Sequence, residues 1–371
     1  MNEPIRSVLD QIYSDVRSRD MPSASLFDGE AGCILFECLY LRHFGDARGW
    51  EAFGAAVRRL TENALDVGVP TFCPGKSGIN WVFSYLYKRG LLDEGDWALL
   101  CEDDPLLAEA ALAFQERGRY DFFYGSLGIA YQLLYSRGDT YAGFFTALWE
   151  RLNSCVVEGA FIYAYDLEAG QLLKDQVNLG LSHGITSILK FCIRCYQLDI
   201  CAEEARTLAQ GIVRFLLSHS RRDTADSFFP NLIHRGSDGD EPSRLAWCYG
   251  DLGISYILYQ AGLVFGDQRV RAQAEHVLLH CTTRTDPKDT LVEDAGLCHG
   301  SAGVAHIYNR VWHYTGHPAF KEACDFWIGK TIGFKRGTDH GLLEGSPGVG
   351  LALITYLTGD FGWDYCMMLN E

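Results

Sequence analysis

Two cysteines and one histidine lie beside recurring glycines, and side chains of these types can hold a metal ion. Cys248 lies two residues before Gly250, Cys298 lies two residues before Gly300, and His299 directly precedes Gly300. Two thiolates and one imidazole form the ligand set of a catalytic zinc, whose fourth position is open to water or substrate. Such an ion deprotonates a bound thiol at neutral pH. The pattern therefore predicts a zinc site for a thiol substrate, and the shared spacing favours it over three buried structural side chains.

Three further residues could act as acid, base or charge partner. His183 directly precedes another of these glycines, Asp121 precedes a third by four residues, and Arg244 lies four residues before Cys248. A neutral imidazole can exchange protons near pH 7, and a guanidinium can stabilise an oxyanion or pair with a carboxylate. The position of His183 favours a role in catalysis over a core histidine. By residue type alone, Asp121 and Arg244 are expected to be surface charges.

The glycines belong to a Gly-x-x-Gly element that recurs seven times, each copy followed by an apolar stretch of helix length. The copies begin at Gly29, Gly75, Gly125, Gly184, Gly250, Gly300 and Gly345. Successive copies start 45 to 66 residues apart, which leaves room for two helices and their loops. In the fourth copy Ser187 replaces the second glycine, so the turn that carries His183 is expected to differ. The repeat predicts seven helical hairpins.

Each hairpin is expected to pair an inner helix with an outer helix. Residues 254–261 are apolar nearly all round, as in a helix covered on both sides. Residues 202–216 instead carry apolar side chains at helical spacing, as in an outer helix covered on one side. Those apolar side chains are Ala205, Leu208, Ala209, Ile212, Val213 and Leu216.

Seven hairpins can stack as an open solenoid or close into a toroid, and a closed ring needs no capping repeats. We predict an all-α fold, a toroid in one domain over residues 1–371, with the glycine turns at one mouth. Hairpins five and six, which carry the two cysteines and His299, are then neighbours. The longest intervals, residues 136–179 and 218–244, are predicted to be loops or small extensions.

Cys73 and Glu344 share the positions of the metal ligands. Cys73 lies two residues before its glycine, but its hairpin falls across the ring, so we expect it to line the mouth without reaching the metal. Glu344 directly precedes Gly345, as His299 precedes Gly300. A solvated or helix-capping role is expected for this carboxylate.

Composition excludes several classes of function. The chain of 371 residues has 32 basic and 48 acidic residues and a net charge of −16, which argues against nucleic-acid binding. Residues 1–19 carry Asp, Glu and Arg among the apolar positions and lack the uninterrupted apolar stretch of a signal peptide. No apolar run reaches the roughly 18 residues of a membrane span. Thirteen cysteines without dense spacing predict reduced thiols in the cytoplasm.

Together these motifs resemble the lanthionine cyclase (LanC-like) family. The resemblance covers all seven repeats, and its most specific strings are Tyr120-Asp121 before a Gly-x-x-Gly, Ser182-His183-Gly184, Trp247-Cys248-Tyr249-Gly250 and Cys298-His299-Gly300. It implies an α/α toroid of about fourteen helices in inner and outer rings.

The resemblance also implies a reaction. One zinc ion per chain would be held by Cys248, Cys298 and His299. The enzyme would add peptide cysteine thiolates to dehydroalanine or dehydrobutyrine, which forms lanthionine or methyllanthionine rings in a lanthipeptide precursor. His183 would donate a proton to the α-carbon or accept the proton of the thiol. Asp121 and Arg244 would orient His183 or stabilise the enolate that the addition produces.

The same resemblance implies a set of partners. The first repeat begins almost at the start of the chain, so we expect the stand-alone cyclase of a two-enzyme system. Its partners would be the dehydrated precursor peptide, a separate dehydratase and an export transporter. The expected location is the cytoplasm, at the inner membrane face where those partners recruit it.

Other classes fit the sequence less well. Zinc-dependent protein prenyltransferases also use an α/α barrel and a peptide thiolate, but they have six hairpins and a carboxylate ligand. A glycosidase on such a barrel would need two placed carboxylates and no zinc. A LanC-like protein that joins glutathione to a peptide, or only binds a peptide, stays open as the alternative.

Overall fold

A computed structural model describes residues 2–19, 21–221, 227–234, 242–335 and 341–370. Most of these residues are helical. The α-helices are α1 Asn2–Arg17, α2 Glu30–Phe44, α3 Ala47–Ala64, α4 Lys76–Lys88, α5 Glu94–Leu100, α6 Asp104–Glu116, α7 Ser126–Ser136, α8 Ala142–Cys155, α9 Ile185–Gln197, α10 Ala202–Ser218, α11 Asp251–Val264, α12 Gln268–Cys281, α13 Pro287–Thr290, α14 Ser301–Thr315, α15 Pro318–Gly333 and α16 Ser346–Thr358.

Short strands add to the helices. The strands β1 Tyr165–Asp166 and β2 Gln171–Leu172 form one antiparallel pair, and β3 Gln176–Asn178 and β4 Leu232–His234 form another. The interval 136–179, predicted to be a loop or small extension, thus holds α8 and three of these strands. Within the interval 218–244, residues 222–226 and 235–241 lie outside the described residues.

The first glycine of each repeat is the residue at which an inner helix begins. All seven are N-cap residues, and they start α2, α4, α7, α9, α11, α14 and α16. The turn before the helix folds back so that the first helical N–H donates to a carbonyl seven residues earlier, as from Glu30 to Ser23 and from Ser126 to Arg119. A Cβ at Gly29 would lie 2.4 Å from the Ser23 oxygen, so a side chain would not fit.

The second glycine of the repeat packs against the same turn. A Cβ at Gly32 would lie 2.3 Å from the Leu26 oxygen, and one at Gly303 would lie 1.9 Å from the Leu297 oxygen. In the fourth copy Ser187 takes this place, and its N–H and Oγ both donate to the Gly184 carbonyl. The repeat therefore encodes a compact turn whose backbone segments touch.

The chain folds into two compact units. The first contains Met1–Glu102 and Val292–Asn370, and its inner helices pack in the order α14, α16, α2, α4. The second contains Asp103–Leu291, and its inner helices pack in the order α7, α9, α11. Each unit has its own core, and the candidate site residues are described below within the unit to which they belong.

Burial separates inner from outer helices as the apolar pattern predicts. Every residue of α11 from Asp251 to Gly262 is buried. In α10 only one face is buried, which confirms the predicted outer helix and its six apolar residues. The helix runs two residues beyond the predicted end, to Ser218. In the described part of the chain, no helix has the length and apolar character of a membrane span, and none of the thirteen cysteines is in a disulfide.

Candidate metal ligands and an acid-base pair

Asp121 and His183 form a hydrogen-bonded pair in the second unit. Asp121 lies in the turn before α7, His183 lies in the turn before α9, and Asp121 Oδ2 is 2.7 Å from His183 Nδ1. The other carboxylate oxygen of Asp121 accepts the Tyr124 N–H at 2.8 Å. Asp121 is 5% exposed, so the expectation of a surface charge is wrong for this residue. The carboxylate is held at both oxygens and fixes one nitrogen of the imidazole.

Aromatic rings surround the imidazole of His183. The Tyr124 ring is stacked at 5.9 Å between centroids with an interplanar angle of 7°, and the Phe123 ring meets His183 edge-on at 5.3 Å. The Tyr249 ring is 6.5 Å away, and its hydroxyl accepts a hydrogen bond from Asn178 Nδ2 at 3.0 Å. Sequence reasoning missed Tyr249, although its place between Cys248 and the motif glycine was a usable signal.

The surroundings of His183 favour its charged form. Burial alone would lower its pKa, but the hydrogen bond and charge of Asp121, with a smaller contribution from Cys248, raise the pKa above its ordinary value. The hydrogen bond to Asp121 occupies Nδ1, so Nε2 is the atom that can exchange a proton with a substrate. This arrangement is typical of a general acid held in one tautomer.

Cys248 belongs to the same unit as this pair and lies in the turn before α11. It is buried, and its carbonyl accepts the N–H groups of Leu181 at 2.9 Å and Ser182 at 3.3 Å. A Cβ at Gly180 would lie 2.8 Å from the Cys248 oxygen. The turns of α9 and α11 therefore touch directly, which brings Cys248 and His183 into one neighbourhood.

Cys298 and His299 belong to the first unit and lie in the turn before α14. The Cys298 N–H donates to the Leu343 carbonyl at 3.1 Å, which joins this turn to the turn before α16. His299 Nδ1 is 3.3 Å from Glu344 Oε1, and His299 Nε2 is 3.7 Å from Asp294 Oδ2. Glu344 is 38% exposed, which agrees with the expected solvated carboxylate. The alternative capping role is not observed, because α16 has no side-chain cap.

The described residues include two candidate metal-binding groups. One is the donor set Cys248, Cys298 and His299, in which Cys248 belongs to the second unit and the other two residues belong to the first. The other is Asp294, His299 and Glu344, all in the first unit, whose ligand atoms lie within 4.8 Å of one another. Two thiols with one imidazole are the donors that zinc prefers in a catalytic site. Partly exposed carboxylates beside a histidine are instead typical of groups that orient a ligand. The chemistry of the donors therefore fits zinc at the first group.

Two other predicted residues belong to neither group. Cys73 is buried in the first unit and belongs to neither group among the described residues. Arg244 is partly buried, and its side chain makes no hydrogen bond or ion pair within the described ranges. The structure thus shows no pairing of Arg244 with Asp121, and its role in catalysis stays a prediction.

Comparison with known proteins identifies the family. The model of the family described as lanthionine synthetase C-like protein matches residues 20–368. The chain belongs to this family. The family resemblance found in the motifs is thereby confirmed.

Two known proteins are similar to this LanC-like chain. Glutathione S-transferase LANCL1 from Danio rerio is 25% identical over 351 residues, which cover 88% of this chain and 79% of that protein. The solved structure of nisin cyclase matches with a TM-score of 0.79 and 17% identity, and the match covers 99% of this chain and 97% of that one. The structural likeness confirms the predicted all-α fold class, the α/α toroid.

Proposed function

We propose that this LanC-like protein is a zinc-dependent lanthionine cyclase, which forms thioether rings in a dehydrated precursor peptide. The observation that carries the proposal is the Asp121–His183 pair beside Cys248, in a chain that also supplies Cys298 and His299 as metal donors. An acid-base pair next to a thiolate-type metal site suits the addition of a thiol to an activated double bond.

Cys248, Cys298 and His299 would hold one zinc ion per chain. When bound, this ion would keep a substrate thiol deprotonated at neutral pH. Cys248 is buried, which excludes water from that side, whereas Cys298 and His299 are partly exposed. This difference in exposure supports a metal site that is open to solvent on the side of Cys298 and His299, from which a substrate cysteine can enter.

His183 would supply the proton that completes the addition. The substrate sulfur bonds to the β-carbon of the dehydroamino acid, and the π electrons of the C=C bond move onto the α-carbon and its carbonyl as an enolate. His183 Nε2 then gives a proton to the α-carbon, while Asp121 keeps Nδ1 hydrogen-bonded and stabilises the imidazolium. We assign Arg244 the role of stabilising the enolate oxygen.

A second function uses the same chemistry with a different thiol. The name of one relative, Glutathione S-transferase LANCL1, supports glutathione as the nucleophile. In this second function the protein would join glutathione to a dehydrated peptide by an intermolecular thioether. In both cases the dehydroamino acid must come from an earlier dehydration of serine or threonine. We therefore propose a dehydratase and the dehydrated precursor as partners, with an export transporter for the product and a cytoplasmic location at the inner membrane face.

The first experiment is native mass spectrometry for zinc on the wild type, Cys298→Ala and Cys73→Ala. We expect one zinc per chain in the wild type and in Cys73→Ala, and loss of zinc in Cys298→Ala. Cys73 is the matched control because it has the same position in its repeat but lies outside the metal-binding groups. The thiolate mechanism is overturned if the wild type binds no zinc, or if Cys298→Ala binds as much zinc as the wild type.

The second experiment distinguishes the two nucleophiles. A dehydrated peptide that also contains cysteine is incubated with the protein and glutathione. Loss of the peptide's free thiol without a change in mass supports cyclisation. A gain in mass by one glutathione supports the second function, and an unchanged peptide contradicts both.

A further inference from the structure

Two carboxylates face the imidazole of His299, one at each nitrogen. Glu344 Oε1 is 3.3 Å from Nδ1, and Asp294 Oδ2 is 3.7 Å from Nε2. A histidine that binds a metal uses one nitrogen for the ion and donates the other N–H to an oxygen, which fixes the tautomer and the ring orientation. At most one of these carboxylates can therefore serve as the acceptor.

Distance separates the two candidates. The contact to Glu344 is within reach of a hydrogen bond, whereas 3.7 Å to Asp294 is too long for one. Asp294 is also engaged in its own turn, since its Oδ1 accepts the Gly296 N–H at 2.7 Å. The nearer oxygen belongs to Glu344, which leaves Nε2 for the metal.

The backbone holds Glu344 in place for this contact. The carbonyl of Leu343 accepts the N–H groups of Leu297 at 2.6 Å and Cys298 at 3.1 Å, so the turns of α14 and α16 are joined next to both side chains. The carboxylate also lies over Gly296, where a Cβ would be 3.0 Å from Glu344 Oε2. The position of Glu344 is thus fixed by the same turn that carries the metal ligands.

We propose that Glu344 is a positioning residue for the metal centre: it accepts the Nδ1–H of His299 and so presents Nε2 to the zinc ion. This inference rests on the zinc site of the proposed function. It gives a role to a carboxylate that occupies the position held by histidines in two other repeats.

Zinc affinity tests the proposal without reference to activity. The dissociation constant is measured by competition with a chromophoric chelator for the wild type, Glu344→Ala, Glu344→Gln and the matched control Asp294→Asn. We expect Glu344→Ala to lose affinity by about 10 to 100-fold. Glu344→Gln should lose less, because its amide oxygen still accepts a hydrogen bond without the charge, and Asp294→Asn should stay close to the wild type.

Cobalt-substituted protein gives a second readout. The visible ligand-field bands of Co²⁺ report the geometry of its ligands, so we expect them to shift in Glu344→Ala, to be partly restored in Glu344→Gln and to stay unchanged in Asp294→Asn. A merely structural role for Glu344 would leave these bands as they are in the wild type.

The outcomes separate this inference from the proposed function. A wild type that binds no zinc overturns both. A wild type that binds zinc, with Glu344→Ala equal to it or Asp294→Asn as weak as Glu344→Ala, overturns only the role of Glu344. Thermal unfolding of the metal-free variants checks the fold. If Glu344→Ala is unstable, the two isosteric variants test the role of Glu344 instead. Glu344→Gln must then lose zinc affinity, and Asp294→Asn must not.

Discussion

Asp121 is the residue on which the proposed proton transfer depends most, because it is buried and holds His183 at Nδ1. A neutral amide in its place could accept one hydrogen bond but would not stabilise the imidazolium. A buried carboxylate that is hydrogen-bonded to a histidine indicates a catalytic role more strongly than either residue alone.

We expect Asp121→Asn to slow thioether formation by about 10² to 10⁴-fold, the range of general acid catalysis. Zinc content should be unchanged, since Asp121 belongs to neither candidate metal group. The measurement is the single-turnover rate together with zinc per chain.

Asp104→Asn is the matched control for Asp121→Asn. Asp104 is likewise a buried carboxylate of the second unit, but its partners are Gln132 and Arg137, which are not candidate site residues. We expect it to lower stability but to keep the rate per folded molecule. Equal rates for Asp121→Asn and the wild type would rule out the acid-base pair.

Glu37 gives a pH dependence of stability in the first unit. Its side chain is buried in α2, and this burial raises its pKa from the ordinary 4.5 to about 7, despite the opposing charges of Arg17 and Arg59. The folded state therefore binds the proton more tightly than the unfolded state. The contribution of this proton to the free energy of unfolding is fully present below pH 4.5 and is lost as the pH rises through 7.

We expect Glu37→Gln to raise the free energy of unfolding at pH 8 by up to about 3 kcal/mol and to change it little at pH 4.5. Urea unfolding at the two pH values measures this. Glu30→Gln is the control, because Glu30 is equally buried but bonds to Arg59 and Asn63, so its substitution should lower stability. The same gain at both pH values for Glu37→Gln would contradict the interpretation.

At the scale of elements, Gly250 stands out among the seven N-cap glycines. It has φ +86° and ψ −167°, a conformation that only glycine adopts without strain, whereas the other six are extended. A Cβ at this position would also lie 2.2 Å from the Arg244 oxygen. The start of α11, and with it the turn that carries Cys248, depends on this glycine.

We expect Gly250→Ala to lower the free energy of unfolding clearly more than Gly266→Ala. Gly266 follows the other end of α11, has φ +71° and has open space around its Cβ position, so its substitution costs only the backbone strain of about 1 to 2 kcal/mol. Urea unfolding and zinc affinity are measured for both variants. Zinc affinity should fall only in Gly250→Ala, and equal losses of stability would show that the close contact is unimportant.

At the scale of the whole molecule, the metal should stabilise a fold that forms without it. Each unit has its own apolar core, and the inner helices are buried along their length. We therefore expect chelation to leave the helical circular dichroism unchanged. Added zinc should raise the melting temperature, with a gain of about 2.7 kcal/mol at a free concentration of 100 times the dissociation constant.

Cys298→Ala provides the contrast for this measurement. Its melting temperature should not respond to zinc, because one of the two thiol ligands is removed. Loss of helical structure on chelation of the wild type would mean that the metal is needed for folding rather than for chemistry.

The sequence alone determined where the inner helices begin, the outer helix α10 and the chemical types of the candidate site residues. The glycine repeat predicted the seven inner helix starts because its requirement is local: a Cβ there would lie too close to a carbonyl oxygen six residues earlier, as at Gly29 and Gly32. The apolar spacing in residues 202–216 predicted α10 for the same reason, since helical periodicity acts over a few residues.

Only the tertiary structure decided which polar side chains meet. The pairs Asp121–His183 and Glu344–His299 join turns that are 62 and 45 residues apart in the chain, and each depends on how neighbouring inner helices pack. Their positions beside the glycines were visible, but the sequence expectation placed Asp121 at the surface and gave Glu344 a solvated or helix-capping role. Glu344 is exposed as expected, yet its contact with His299 follows only from the fold. A hydrogen bond requires the donor and acceptor atoms to lie within about 3 Å of each other. The residue pattern along one helix does not specify how far away the neighbouring helix lies.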